Sequence, residues 1–172
     1  MVELPLNDVK GVSFRPIGTV NVDASDDEIK SLAHDSELKS RITIFSEFKD
    51  GLDGLEGFSH IFVLGYLHRL RPDQTGVLKV RPRRLLKKGF KLEELPLIGV
   101  FAIDSPTRPN PISLSLVKLL SIDSPDLIVS GLDLFNGTPV LDIKPYRDDY
   151  RANNYELAEW YRTICLKAGE DV

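Results

Sequence analysis

Cysteine, methionine and tryptophan each occur once in the 172 residues. The single thiol, Cys165, forms no internal disulfide, and the usual zinc sets cannot be assembled around one cysteine. A lone thiol is ordinary in a reducing compartment, and Cys165 is expected at the surface. Histidine is nearly as scarce: His34, His60 and His68 have no helical spacing to a further ligand, so no metal is expected. Long apolar runs are missing as well. The longest, residues 61–67, is interrupted by Gly65 and ends at His68, far short of the roughly 20 residues that a membrane span needs. Residues 1–10 carry Glu3 and Asp8 and lack the basic-then-apolar order of a secretory signal, so a cytoplasmic location with no membrane contact is expected. Gly51, Gly54 and Gly57 do not make the opening of a dinucleotide fold, and neither a Walker phosphate loop nor a Gly-x-Ser-x-Gly elbow is present. Nucleotide-fold, phosphate-loop and serine-hydrolase chemistry therefore have no support in the sequence.

What the chain does contain is an ordinary soluble composition, 42% hydrophobic and 28% charged, enough for one domain and a short appendage. The expected division is a domain over 1–150 and a helical tail over 151–172. The net charge is -4, which argues against a protein that coats nucleic acid. Charge is nevertheless uneven: Lys79, Arg81, Arg83, Arg84, Lys87, Lys88 and Lys91 follow one another with no acid until Glu93. This is a basic patch on an acidic body. Its phosphate-binding reading rests on Arg81, Arg83, Arg84, Lys87 and Lys88 beside Lys79, and the plain alternative is a solvated loop.

Ser25-Asp26-Asp27-Glu28 fits a capping box at the start of a short helix, with Ile29, Leu32 and Ala33 following. Residues 41–45 alternate polar and apolar, as a half-buried strand does, and residues 59–68 read as a central strand. Further strands are expected at 77–81, with Lys79 and Arg81 on one face, at 97–102, and at 112–116. Residues 127–135 and 138–144 flank Asn136-Gly137, a strong two-residue hairpin signal. From Asn154 onward, Leu157, Trp160, Tyr161 and Ile164 repeat at helical spacing and Gly169 closes the pattern. This amphipathic stripe needs a surface to cover it, its own domain or a second copy. The whole reads as a mostly β domain with a short helix near each end.

Three segments stand in order: Gly57-Phe58-Ser59-His60-Ile61, then Ser105-Pro106-Thr107-Arg108-Pro109-Asn110-Pro111-Ile112, then LDLFNGTPVLDIKPY over residues 132–146. Together, and in their spacing, they resemble the TsaA or TrmO family of tRNA methyltransferases, over about residues 12–146. The resemblance implies a small β-barrel that binds S-adenosylmethionine (SAM) outside any Rossmann architecture, in a homodimer with sites near the subunit interface. It implies methyl transfer from SAM to N6 of threonylcarbamoyl-adenosine, the base next to the anticodon of tRNA. Its cofactor contacts carry over to His68 with Arg69, Arg108, Leu114, Leu132, Asp133, Leu134 and Asn136.

The residues themselves supply a physical reading beside the resemblance. Each proline of Arg108-Pro109-Asn110-Pro111 fixes its own φ and extends its predecessor, so the loop is stiff and able to hold an arginine in place. Methyl transfer asks mainly for positioning. The weakly nucleophilic ureido nitrogen gains from a base, for which Asp142 is the candidate, while Lys144 and Tyr146 are candidates to orient the substrate. The sequence leaves the choice among them open. Three differences from the family pattern are visible: Asp104 replaces a usual arginine, Ser113 replaces a glycine, and residues 33–36 stand where the family carries a Pro-x-Gln segment. Asp104, lying just before the stiff loop, is expected to face substrate. A barrel that binds a nucleotide or RNA without methyl transfer, and an interaction protein, are the alternative readings.

Overall fold

The computed structural model describes residues 12–31 and 37–169. The expectations for residues 1–10, for Leu32 and for 33–36, His34 included, lie outside the described residues. In chain order the elements are β1 (Gly18–Asn21), α1 (Asp26–Ser31), β2 (Lys39–Ile44), β3 (His60–Tyr66), β4 (Lys79–Val80), β5 (Ile98–Gly99), β6 (Ile112–Asp123), β7 (Asp126–Ser130), β8 (Pro139–Pro145) and α2 (Glu159–Lys167). The chain divides into two compact units, one of residues 1–66 and 113–146, the other of 67–112 and 147–172. The helical tail thus belongs to the second unit.

The first unit is a closed barrel with strand order β1-β2-β7-β6-β3-β8. Closure follows from Gly18, which pairs with Ile44 of β2 on one side and Val140 of β8 on the other. Among the described residues, each of the six barrel strands thus has a neighbour on both sides. Period-two alternation sends Ile42 and Ile44, Ile61 and Val63, Val117, Leu127 and Val129, and Val140 inward, each at 2% exposure or less. Six strands enclose an interior filled by side chains. At the start of α1 the expected capping box is present: Ser25 N–H donates to Glu28 Oε2 at 2.8 Å and Glu28 N–H to Ser25 Oγ at 3.3 Å. The helix buries Ile29, 2% exposed.

The expected hairpin across Asn136-Gly137 does not form. A turn is there, closed by Thr138 N–H to Phe135 O at 3.1 Å, but β7 pairs with β2 and β6, whereas β8 pairs with β3 and β1. Gly131 at φ 81° ends β7 early, and the chain then carries Leu132 and Leu134 into the core, 0% and 2% exposed. The local turn is real; the ladder goes to whichever strands complete the barrel. The hairpin that does form joins β6 to β7 through Ser124-Pro125, with Asp123 opposite Asp126.

In the second unit β4 and β5 make a two-stranded sheet, Lys79 opposite Gly99 and Val80 opposite Ile98. The strand expected over 97–102 is therefore only two residues long. It gives way to a 3₁₀ turn at Val100–Ala102, because the Val100 N–H goes to Leu78 O at 2.9 Å and the chain turns there. The strand expected over 77–81 is similarly short, and Arg81 leaves its face to donate from Nη1 to Leu95 O.

α2 starts at Glu159, later than Asn154, with Ala158 at its N-cap. Its apolar stripe is covered within its own unit: Ile164 packs with Leu85 and Leu95, and Trp160 with Ala168 and Phe90 line the same cluster. Cys165, expected at the surface, is only 3% exposed, since it sits next to Ile164 on the buried side of the helix.

Candidate functional site

The candidate residues fall on both units. On the barrel, Leu132, Asp133 and Leu134 lie between β7 and β8, outside any ladder. Leu132 and Leu134 anchor the segment in the core, and Asp133 accepts a hydrogen bond from the Ser115 hydroxyl at 2.7 Å. Ser115 belongs to β6, one residue after Leu114, which points outward and is 68% exposed. Asn136 is fixed by its Oδ1, which accepts the Val22 N–H at 3.1 Å. With Asn21, Val22, Lys39 and Arg41 it lines a groove of about 400 Å³ on the barrel, within the size range of ligand sites.

Asp142 and Lys144 share the outer face of β8, two residues apart, and form an ion pair at 2.8 Å. Tyr146 follows one further step along and meets two rings of β3 edge-on, His60 with centroids 6.5 Å apart and Phe62 at 5.7 Å. The register explains the grouping: Phe62 lies opposite Lys144, and Leu64 opposite Asp142. Ser59 Oγ stands 2.9 Å from His60 Nδ1. His60 stands in the first marker segment, and Phe62 within the strand expected over 59–68. Which strand they would face depends on a pairing that the sequence does not state.

Ser113, the serine in place of a glycine, accepts the Gly65 N–H at 3.0 Å and donates to the Gly65 carbonyl at 3.2 Å. It does so where the β3–β8 register shifts, between Leu64 and Gly65. The departure from the family pattern is thus accommodated by a glycine on the neighbouring strand.

In the second unit His68 and Arg69 are exposed, directly after β3. Arg108 is half-buried and holds its own loop: Nε donates to Ser105 O at 2.8 Å, and Nη2 to Ile103 O at 2.6 Å and Val100 O at 3.4 Å. The prolines stiffen the segment and the guanidinium ties its ends together. Asp104 lies inside this stapled stretch and is exposed. Of the basic run, Arg83, Arg84, Lys87 and Lys88 are exposed on a 3₁₀ segment, Arg83–Lys88, whose Leu85 is buried against α2. With Leu85 held inward, these four cations stand outward.

The family model of the tRNA-methyltransferase O N-terminal domain matches residues 30–151, a span that contains all three marker segments. A probable S-adenosyl-L-methionine-binding protein of Methanothermobacter thermautotrophicus is 42% identical over 139 residues, 80% of this chain and 92% of that protein. A tRNA (adenine(37)-N6)-methyltransferase of Rattus norvegicus is 43% identical over 113 residues, 66% of this chain and 24% of the rat enzyme. A crystal structure of TrmO superposes with a TM-score of 0.64 at 31% identity, covering 85% of this chain and 63% of that one. The chain accordingly spans about a quarter of the rat enzyme and under two thirds of the solved TrmO chain. With the barrel, the marker segments and the matched span in agreement, the chain belongs to the family of the tRNA-methyltransferase O N-terminal domain.

Proposed function

We propose that the chain is a SAM-dependent methyltransferase acting on N6 of threonylcarbamoyl-adenosine beside the anticodon of tRNA. The observation that carries this reading is the family match over 30–151, on a barrel whose marker segments are held in defined geometry. The residues present fit the cofactor. Asp133 lies exposed outside the ladders between the buried anchors Leu132 and Leu134, and is the residue of this segment that reaches a ligand. The Asp133 carboxylate suits a ligand that carries two positive groups.

Bound SAM supplies an electrophilic methyl group on a sulfonium. The chain's own part is to hold the accepting nitrogen at near-attack distance and to receive its proton. Asp142 keeps acceptor capacity beyond its bond to Lys144, because a carboxylate offers about four lone-pair sites. Lys144 and Tyr146, on the same strand face, orient the substrate's carboxylate and base. By the family resemblance His68, Arg69, Arg108 and Leu114 are cofactor residues as well, with Arg108 acting through the loop it staples. Asp104 sets substrate choice.

A homodimer is part of this reading. Its support is β6, whose outer face shows Leu114, Leu116 and Leu120 at 68%, 45% and 39% exposure. A stripe of that kind favours a partner surface. The site of action is the cytoplasm, where tRNA is modified, and no helix among the described residues is long and apolar enough to cross a membrane.

Incubation of the protein with radiolabelled SAM and tRNA bearing threonylcarbamoyl-adenosine tests the reading. Label is expected in the RNA, at the base next to the anticodon. RNA that binds but stays unlabelled would instead assign the barrel to a non-catalytic RNA-binding role.

A further inference from the structure

Phe101 is the most exposed of the large apolar side chains among the described residues, at 82%. Its backbone is fixed on both sides. Val100, 1% exposed, donates its N–H to Leu78 O at 2.9 Å, and the Val100 and Ile103 carbonyls both receive the Arg108 guanidinium. A loose loop would let the ring turn inward; this one is clamped before and after the phenylalanine. The cost of leaving the ring in water is therefore built into the turn.

The surrounding charge decides what the ring meets. Lys79 stands opposite Gly99 in the β4–β5 ladder, two residues from Phe101, and it opens the run of seven cations that ends at Lys91. Leu78 and Leu97 are also exposed, 62% and 55%, so a second copy of the chain is the competing occupant. A symmetric contact would place the same cations against one another, which costs affinity. An RNA presents what both features ask for, phosphates for the cations and an unstacked base for the ring.

The geometry points to Phe101 as a stacking platform for an unpaired nucleobase of the RNA, with the exposed cations Lys79, Arg83, Arg84, Lys87 and Lys88 taking phosphates of the same RNA. The inference rests on the tRNA reading above. Phe101 is a substrate-binding residue in this assignment, and Arg108 is the positioning residue that presents it.

The test compares binding of threonylcarbamoylated tRNA by the unaltered protein, Phe101→Ala, Phe101→Leu and Phe101→Trp across a salt series. Alanine and leucine should each lose roughly 5- to 100-fold in affinity while tryptophan retains it, since stacking needs a flat π face. The salt slope should stay the same in all four, because the phosphate contacts are untouched. Leucine binding as well as phenylalanine would overturn the stacking role. So would a loss of dimer by light scattering on Phe101→Ala, which would make the ring an interface residue, or a loss of SAM-induced melting shift, which would give it to the cofactor. If the unaltered protein bound no tRNA, the proposed function would fall and this inference with it.

Discussion

The Ser113 hydroxyl and Gly65 form a two-residue lock where the β3–β8 register shifts, and the space around Gly65 shows how tight it is. A Cβ at position 65 would lie 2.7 Å from Leu134 Cδ1 and 2.8 Å from Ser113 Oγ, closer than atoms in a packed core allow. Gly65→Ala should destabilise the barrel by about 1–3 kcal/mol, the usual cost of overpacking. Ser113→Gly in the same chain should return part of that loss, because it removes one of the two obstructions. Urea unfolding midpoints of the two single variants and the double variant measure the coupling. Strict additivity would place the strain on Leu134 alone. The family difference at Ser113 was legible from sequence; the reason it is tolerated was not, because Gly65 lies 48 positions away and only the fold brings the two together.

At the scale of elements, α1 is held by a titratable group. The Ser25 hydroxyl and Ser25 N–H, both bonded to the Glu28 carboxylate, hold that carboxyl below its usual range. A depressed folded value means that the contribution is fully present above the unfolded value of about 4.3 and is lost as pH falls through the lower folded value. The Ile29 and Glu28 amide resonances should therefore shift together in acid, below about pH 4, and Glu28→Gln should remove that transition. A shift that survived in the glutamine variant would take the Glu28 cap out of the transition. This cap was readable in the sequence because it is local, four consecutive residues with a fixed chemical logic. The hairpin at Asn136-Gly137 was misread for the opposite reason. The turn residues specify the turn, but the partners of β7 and β8 are chosen by ring closure across the whole barrel. The strand over 59–68 was legible by itself; that His60, Phe62 and Tyr146 gather beside Asp142 and Lys144 follows from a register set by the same closure.

For the molecule as a whole, the balance of charge gives a testable signature. If Arg83 and Arg84 each neutralise a phosphate, replacing both with alanine should weaken binding of all tRNAs alike and flatten the dependence of log affinity on log salt by roughly 1.4 to 1.8. Filter binding across a salt series measures this; an unchanged slope would leave the run a solvated surface. On the barrel, Leu116→Lys places a charge in the β6 stripe and should convert the proposed dimer to monomer in light scattering at tens of micromolar, with the melting temperature of the monomer little altered. An unaltered dimer would move the contact off β6. The two units also interleave along the chain, and that ordering governs how the protein can be made. Because β1 must pair with β8 to close the ring, residues 18–66 wait on the ribosome until Val140 has emerged, and Leu85 and Leu95 wait longer still for Ile164. Neither unit can complete its core before most of the chain has been synthesised, so a nascent chain halted after residue 112 has no finished half to shelter it, and its exposed strands are the natural clients of a chaperone.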